Sequence, residues 1–203
     1  LQITQARFAR SRREKLPGIG TRLVTERTLE GCPPITSTVT LYDELPWLDI
    51  ENRITKTPTF AKEALYVAFP FAFVKPAVEV EVPLGRRTVD RDQQPGSGRD
   101  WYCHANWGGL HEGNDGLLWS APDTPLFTLN DLFRGQWRRS IVPDGTLFAY
   151  AMNNYWHTNY AAAQGGTVTF RFRISLLAPG DLAEPVRRGW AACDSLYLSP
   201  SYV

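Results

Sequence analysis

Long apolar runs, cysteine and an excess of charge of one sign are all scarce in this sequence of 203 residues. A bilayer-spanning helix needs about 20 consecutive apolar residues. The most apolar run, Leu65 to Val74, is short and broken by Pro70, so no membrane span is expected. The three cysteines, Cys32, Cys103 and Cys193, are widely spaced and form no CxxC pair. That argues against a structural zinc site and against a disulfide framework. Reduced thiols in a cytoplasmic setting are the expectation. Basic and acidic residues number 22 and 21, for a net charge of +1. Such balance leaves no footprint for nucleic acid or an anionic membrane, so neither is an expected partner. The local exception is Arg7, Arg10, Arg12, Arg13 and Lys15, read as a solvated face or connector. No GxSxG elbow, P-loop, GxGxxG or HExxH occurs, which removes the commonest hydrolase, nucleotide and zinc-protease readings. Methionine is almost missing too: the chain opens on Leu1 and has only Met152. The expectation is a single domain over 1–203, cut from a longer chain, with 1–19 as connector and 178–203 as tail.

What is present is alternation. Leu48, Ile50, Asn52 and Ile54 alternate with Asp49, Glu51, Arg53 and Thr55. Val78, Val80 and Val82 alternate with Glu79 and Glu81, and Val168, Phe170, Phe172 and Ile174 with Thr169, Arg171, Arg173 and Ser175. Alternate side chains of a strand face opposite sides, so each run predicts a strand with one buried and one wet face. Other β-prone runs cover 21–29, 35–42, 64–69, 101–107, 117–120 and 146–152. Turn signals such as Gly31 to Pro34, Pro95-Gly96 and Pro143-Asp144-Gly145 separate them. Asp181 can cap one short helix from Leu182 to Cys193, with Pro185 in its first turn. The expected fold is all-β: a large antiparallel β-sandwich with one short C-terminal helix. Residues 85–100 and 104–116 read as long polar loops, where binding tends to be carried.

Two clusters mix planar aromatics with amides and carboxylates. The first includes Asp92, Gln93, Trp101, His104 and Trp107; the second includes Asn154, Trp156, His157 and Asn159. Sugars favour such a mixture, because aromatic faces stack on C–H faces and bidentate groups read paired hydroxyls. The carbohydrate-facing candidates are therefore Asp92, Gln93, Trp101, His104, Asn154, Trp156, His157 and Asn159. A plainer reading stands beside this one. Trp119 reads as core, Trp101 and Trp107 suit either role, and Asn153 and Asn154 suit backbone caps. His104 and His157 each open a His-x-Asn pattern, and asparagine is a poor zinc ligand, so no metal site is expected within this chain. Cys103 beside His104 makes no dyad, since neighbouring strand residues point apart.

Four segments, in order, carry a family resemblance. They are Leu41-Tyr42-Asp43-Glu44-Leu45-Pro46 continuing to Lys56; Lys62-Glu63-Ala64-Leu65-Tyr66-Val67-Ala68-Phe69-Pro70-Phe71; Asp92-Gln93-Gln94-Pro95-Gly96; and Asn153 to Tyr160 followed by Gln164-Gly165 and Phe170-Arg171. Together they resemble the C-terminal β-domain of glycoside hydrolase family 38, the retaining α-mannosidases, in its bacterial branch. The resemblance covers about residues 20 to 177. It implies a large sandwich like that of galactose mutarotase, with the catalytic zinc and nucleophilic Asp on an N-terminal α/β domain that nothing here matches. It also implies that the sandwich packs on that domain and lends loops to the sugar pocket; whether the full-length protein forms an oligomer is left open by the sequence. The alternatives are a stand-alone carbohydrate-binding module, or a mutarotase-like epimerase using His104 or His157 with Asp92 as acid and base.

Overall fold

The three alternating runs form strands that lie in one sheet. The structure, a computed structural model, describes residues 2–154, 162–177 and 184–194. In chain order its elements are β1 (Arg7–Leu16), β2 (Gly20–Thr28), β3 (Ile35–Tyr42), β4 (Trp47–Lys56), β5 (Glu63–Pro70), β6 (Ala77–Val82), β7 (Gly85–Thr88), β8 (Tyr102–Cys103), β9 (Trp107–Glu112), β10 (Asp115–Ser120), β11 (Leu126–Leu129), β12 (Thr146–Asn154), β13 (Gly166–Leu176) and α1 (Glu184–Cys193). A nine-stranded sheet runs β1-β2-β3-β4-β13-β10-β9-β6-β7, and a four-stranded sheet runs β5-β12-β11-β8. The fold is thus all-β and antiparallel, as the alternation predicts.

Register follows the apolar pattern. Across β4 and β13, Val168, Phe170, Phe172 and Ile174 lie opposite Ile54, Asn52, Ile50 and Leu48. A slip of β13 by one residue would turn its four side chains to the other face. Phe170, Phe172 and Ile54 are buried between the sheets. Their neighbours Arg171 and Arg173 point the other way, onto Asp123 and Asp49. The small sheet contributes Phe69, Phe127, Leu129 and Leu147 to the same core. Trp119 sits at its centre, edge-on to Phe69 at 5.7 Å and to Phe127 at 5.5 Å, geometries that aromatic quadrupoles favour.

Four segments depart from expectation; one is the expected loop over 85–100, whose first residues form strand β7 against β6. The expected connector 1–19 carries strand β1, paired along β2 with a register shift between Phe8 and Arg10. The 101–107 run is not one strand: Tyr102–Cys103 joins the small sheet and Trp107 opens a strand of the large one. The expected loop over 104–116 is mostly a β9–β10 hairpin. Glu112 and Asp115 pair across the two-residue turn Gly113-Asn114, with Gly113 at φ +60°, the positive φ that mirror-image hairpin turns require. Gly108 and Gly109 read as loop but lie within β9.

Helix α1 covers the far face of the large sheet. Trp107, Leu118 and Leu177 form a small cluster there. A Cβ on Gly189 would come within 2.2 Å of Trp107 Cδ1, so glycine is what allows the close approach. Trp190 Nε1 donates to Glu81 Oε1 at 2.5 Å, and Arg188 Nη1 donates to the Leu176 carbonyl at 2.8 Å. Asp181 and Leu182, expected at the start of the helix, lie outside the described residues. No helix among the described residues is long and apolar enough to cross a membrane.

Candidate functional site

Strand β5 alternates Leu65, Val67 and Phe69 inward with Tyr66 and Ala68 outward, as a period of two requires. Tyr66 lies opposite Tyr150 of β12, their rings 5.1 Å apart. Trp101, just ahead of β8, stacks on Tyr66 at 6.2 Å and meets Tyr150 at 4.8 Å. The Arg134 guanidinium lies 5.4 Å above Trp101, within cation–π range. Arg134 also donates to the Phe133 carbonyl at 2.7 Å and to the Asp131 carbonyl. Burial lowers its pKa, only partly offset by Asp131. The result is an aromatic shelf on the outer face of the small sheet, with the 131–134 turn pinned beside it.

Next to this shelf is a cavity of about 880 Å³, whose walls include Cys32, Lys56, Glu63, Tyr66, Phe133 and Arg134. That volume lies within the range of small-ligand sites. Lys56 ends β4 and Glu63 begins β5, so the two strand ends bring them together. Lys56 is only 5% exposed; its Nζ lies 2.5 Å from Glu63 Oε1 and donates to the Thr57 carbonyl at 2.8 Å. Glu63 is the open member of the pair, 41% exposed. The Cys32 thiol is pushed up by burial, against the opposing charge of Lys56. Asn154 Nδ2 donates to the Thr59 and Ala61 carbonyls at 2.9 and 2.6 Å, holding the connection that forms one wall.

The sequence candidates are dispersed. Asp92 accepts the Thr88 N–H at 2.7 Å and pairs with Arg91, which together with that backbone bond hold its carboxyl well below the usual range. Gln93 bridges its own turn, accepting from Asp90 N and donating to the Gly98 carbonyl. Both are engaged in shaping the 88–98 turn. Trp101 belongs to the aromatic shelf. His104, expected to face a ligand, is instead 4% exposed and edge-on to Trp119 at 5.1 Å. Burial lowers its pKa to about 4, with the Thr124 backbone offsetting only part, so it is neutral at pH 7. A neutral imidazole this deep in the core is not placed to exchange protons with a sugar at the surface. Asn154 serves as a backbone clamp. Trp156, His157 and Asn159 lie outside the described residues. Lys56, Glu63, Tyr66, Phe133 and Arg134 were not singled out by sequence. Lys56, Glu63 and Tyr66 do stand inside two of the family-like segments, but nothing local marks them as neighbours. Cys32, Cys103 and Cys193 are free thiols.

The molecule is thus a two-layer antiparallel sandwich bearing an aromatic shelf and an ion-paired cavity. No family model matches the chain, and no curated protein matches it. Among solved structures it is similar to an alpha-mannosidase from Enterococcus faecalis V583, with TM-score 0.68 and 13% identity over 93% of this chain and 24% of that one. It is also similar to a protein in glycosyl hydrolase family 38 from Enterococcus faecalis, with TM-score 0.66 and 15% identity over 93% of this chain and 25% of that one. At such identities the likeness shows the fold. The chain spans about a quarter of the length of these structures. The fold expected from the four family-like segments is the fold the chain has.

Proposed function

We propose that this chain is the C-terminal β-sandwich of an α-mannosidase-type glycoside hydrolase of family 38, acting in carbohydrate metabolism. In this reading it is non-catalytic alone, packs on a zinc-binding catalytic domain and helps shape the sugar pocket. The observation that carries the reading is the fold likeness to a 13% identical alpha-mannosidase over 93% of this chain. The four ordered segments agree with it. Zinc chemistry belongs, in this reading, to the other domain. Among the described residues no three His, Cys, Asp or Glu side chains gather into a set able to hold a metal.

The test is direct. The 203-residue chain, assayed with 4-nitrophenyl α-D-mannopyranoside and added zinc, is expected to give no turnover above buffer. Robust zinc-dependent turnover would overturn the reading. The coding sequence upstream of Leu1 is expected to carry a His-x-Asp zinc motif and a distal nucleophilic Asp.

A further inference from the structure

We propose that the cavity between the end of β4, the start of β5 and the 131–134 turn is a pyranose-binding site, in which Lys56 and Glu63 read a vicinal diol and Tyr66 and Phe133 bear on the C–H face of the ring. The inference rests on the carbohydrate class of the reading above, but not on the presence of a catalytic domain.

The ion pair is the starting point. A lysine ammonium has three donors and no acceptor. Among the described residues Lys56 uses two of them, on Glu63 and on the Thr57 carbonyl. Among those residues the third donor has no partner, and the side chain forms part of a cavity wall. Burying an amine to 5% exposure is costly, and a well-packed apolar residue would commonly do as well for stability. The Glu63 carboxylate keeps acceptor capacity beyond its bond to Lys56, on the exposed side of the pair. One donor and one acceptor fixed side by side match two adjacent hydroxyls, each of which can donate and accept.

The walls supply the apolar half of sugar recognition. Tyr66 is fixed by Trp101 and Tyr150. Phe133 is 52% exposed, yet its backbone is pinned by Arg134, which is itself stacked on Trp101. An aromatic held open to solvent beside a charged pair is the combination a sugar ring exploits: C–H groups on one side, hydroxyls on the other. A buried apolar ligand would leave the Lys56–Glu63 pair desolvated without compensation, so the chemistry favours a polyhydroxylated ring.

Isothermal titration of the whole chain tests this, with methyl α-D-mannopyranoside, methyl β-D-glucopyranoside and cyclohexanol as probes. Saturable binding of at least one glycoside at millimolar concentration, and none of cyclohexanol, is expected. Glu63→Gln and Phe133→Ala are each expected to weaken that binding about tenfold, the effect of losing a charge-assisted hydrogen bond or a ring contact. Trp137→Ala, at a residue 80% exposed and outside the lining, is expected to leave it unchanged. Circular dichroism establishes that each variant is folded. Three outcomes overturn the inference: no saturable binding of either glycoside by the folded chain, binding that survives both cavity variants, or cyclohexanol binding as tightly as the glycosides. The first would mark Lys56–Glu63 as a purely structural ion pair. None of the three touches the mannosidase-domain reading, which fails separately if the chain alone turns over an aryl mannoside.

Discussion

At the scale of single residues, burial decides more than residue type. His104 sits in a sequence cluster rich in amides and aromatics, but the fold sets it against Trp119 and Phe127 in the core. Its pKa falls from 6.5 to about 4. Below pH 6.5 the unfolded chain therefore takes up a proton that the folded chain refuses. Stability tied to this group is full above 6.5 and is lost as pH falls from there through about 4. The loss is on the order of a few kcal/mol. Urea unfolding at a series of pH values checks it: His104→Phe, which keeps a ring in place, is expected to flatten the wild-type slope across that window. An equal slope in both proteins would show that His104 is not protonated on unfolding in this range. The sequence placed His104 on a strand, but it lies just past β8, in the link to β9. Depth in the core is not a local property, so the face it would meet was not legible.

At the scale of elements, period and turn chemistry were the legible part. The runs around Ile50, Val80 and Phe172 each became strands, but Val168, expected inward, is 40% exposed, and Glu81 and Ser175, expected on the wet face, are buried. The 101–107 run failed because two short β segments in different sheets read as one when only propensity is considered. The β9–β10 hairpin was hidden because its glycines resemble loop. Helix α1 shows how packing overrides propensity. Gly189 in mid-helix would normally make Gly→Ala stabilising by about 1 kcal/mol. Here the added methyl would meet Trp107. Gly189→Ala is therefore expected to destabilise the protein and loosen α1 from the sheet. Faster hydrogen exchange in α1 and a lower melting temperature would show it. A rise in melting temperature would mean that the helix shifts to accommodate the methyl.

At the scale of the whole molecule, β1 leaves one flank of the large sheet as an edge. Edges invite pairing with other chains, and charged residues along them oppose it. Arg7, Arg10, Arg12, Arg13 and Lys15 line this strand, with Arg10 and Arg12 drawn to Glu26 and Lys15 to Asp43. The basic cluster thus has a structural use that needs no nucleic acid. Replacing Arg7, Arg10 and Arg13 together with Thr is expected to promote self-association in sedimentation velocity. Unchanged sedimentation would show that the edge is guarded by other means. Alternation alone was enough to establish a two-faced, antiparallel, all-β chain, because side-chain direction in a strand repeats every two residues whatever the partner. The four ordered segments added the family-like fold. Which strands meet, and so the union of Lys56 from the end of one strand with Glu63 from the start of the next beside Tyr66 and Phe133, was decided only by tertiary structure. A site assembled across two sheets depends on their relative placement, and no periodicity within either strand encodes that distance.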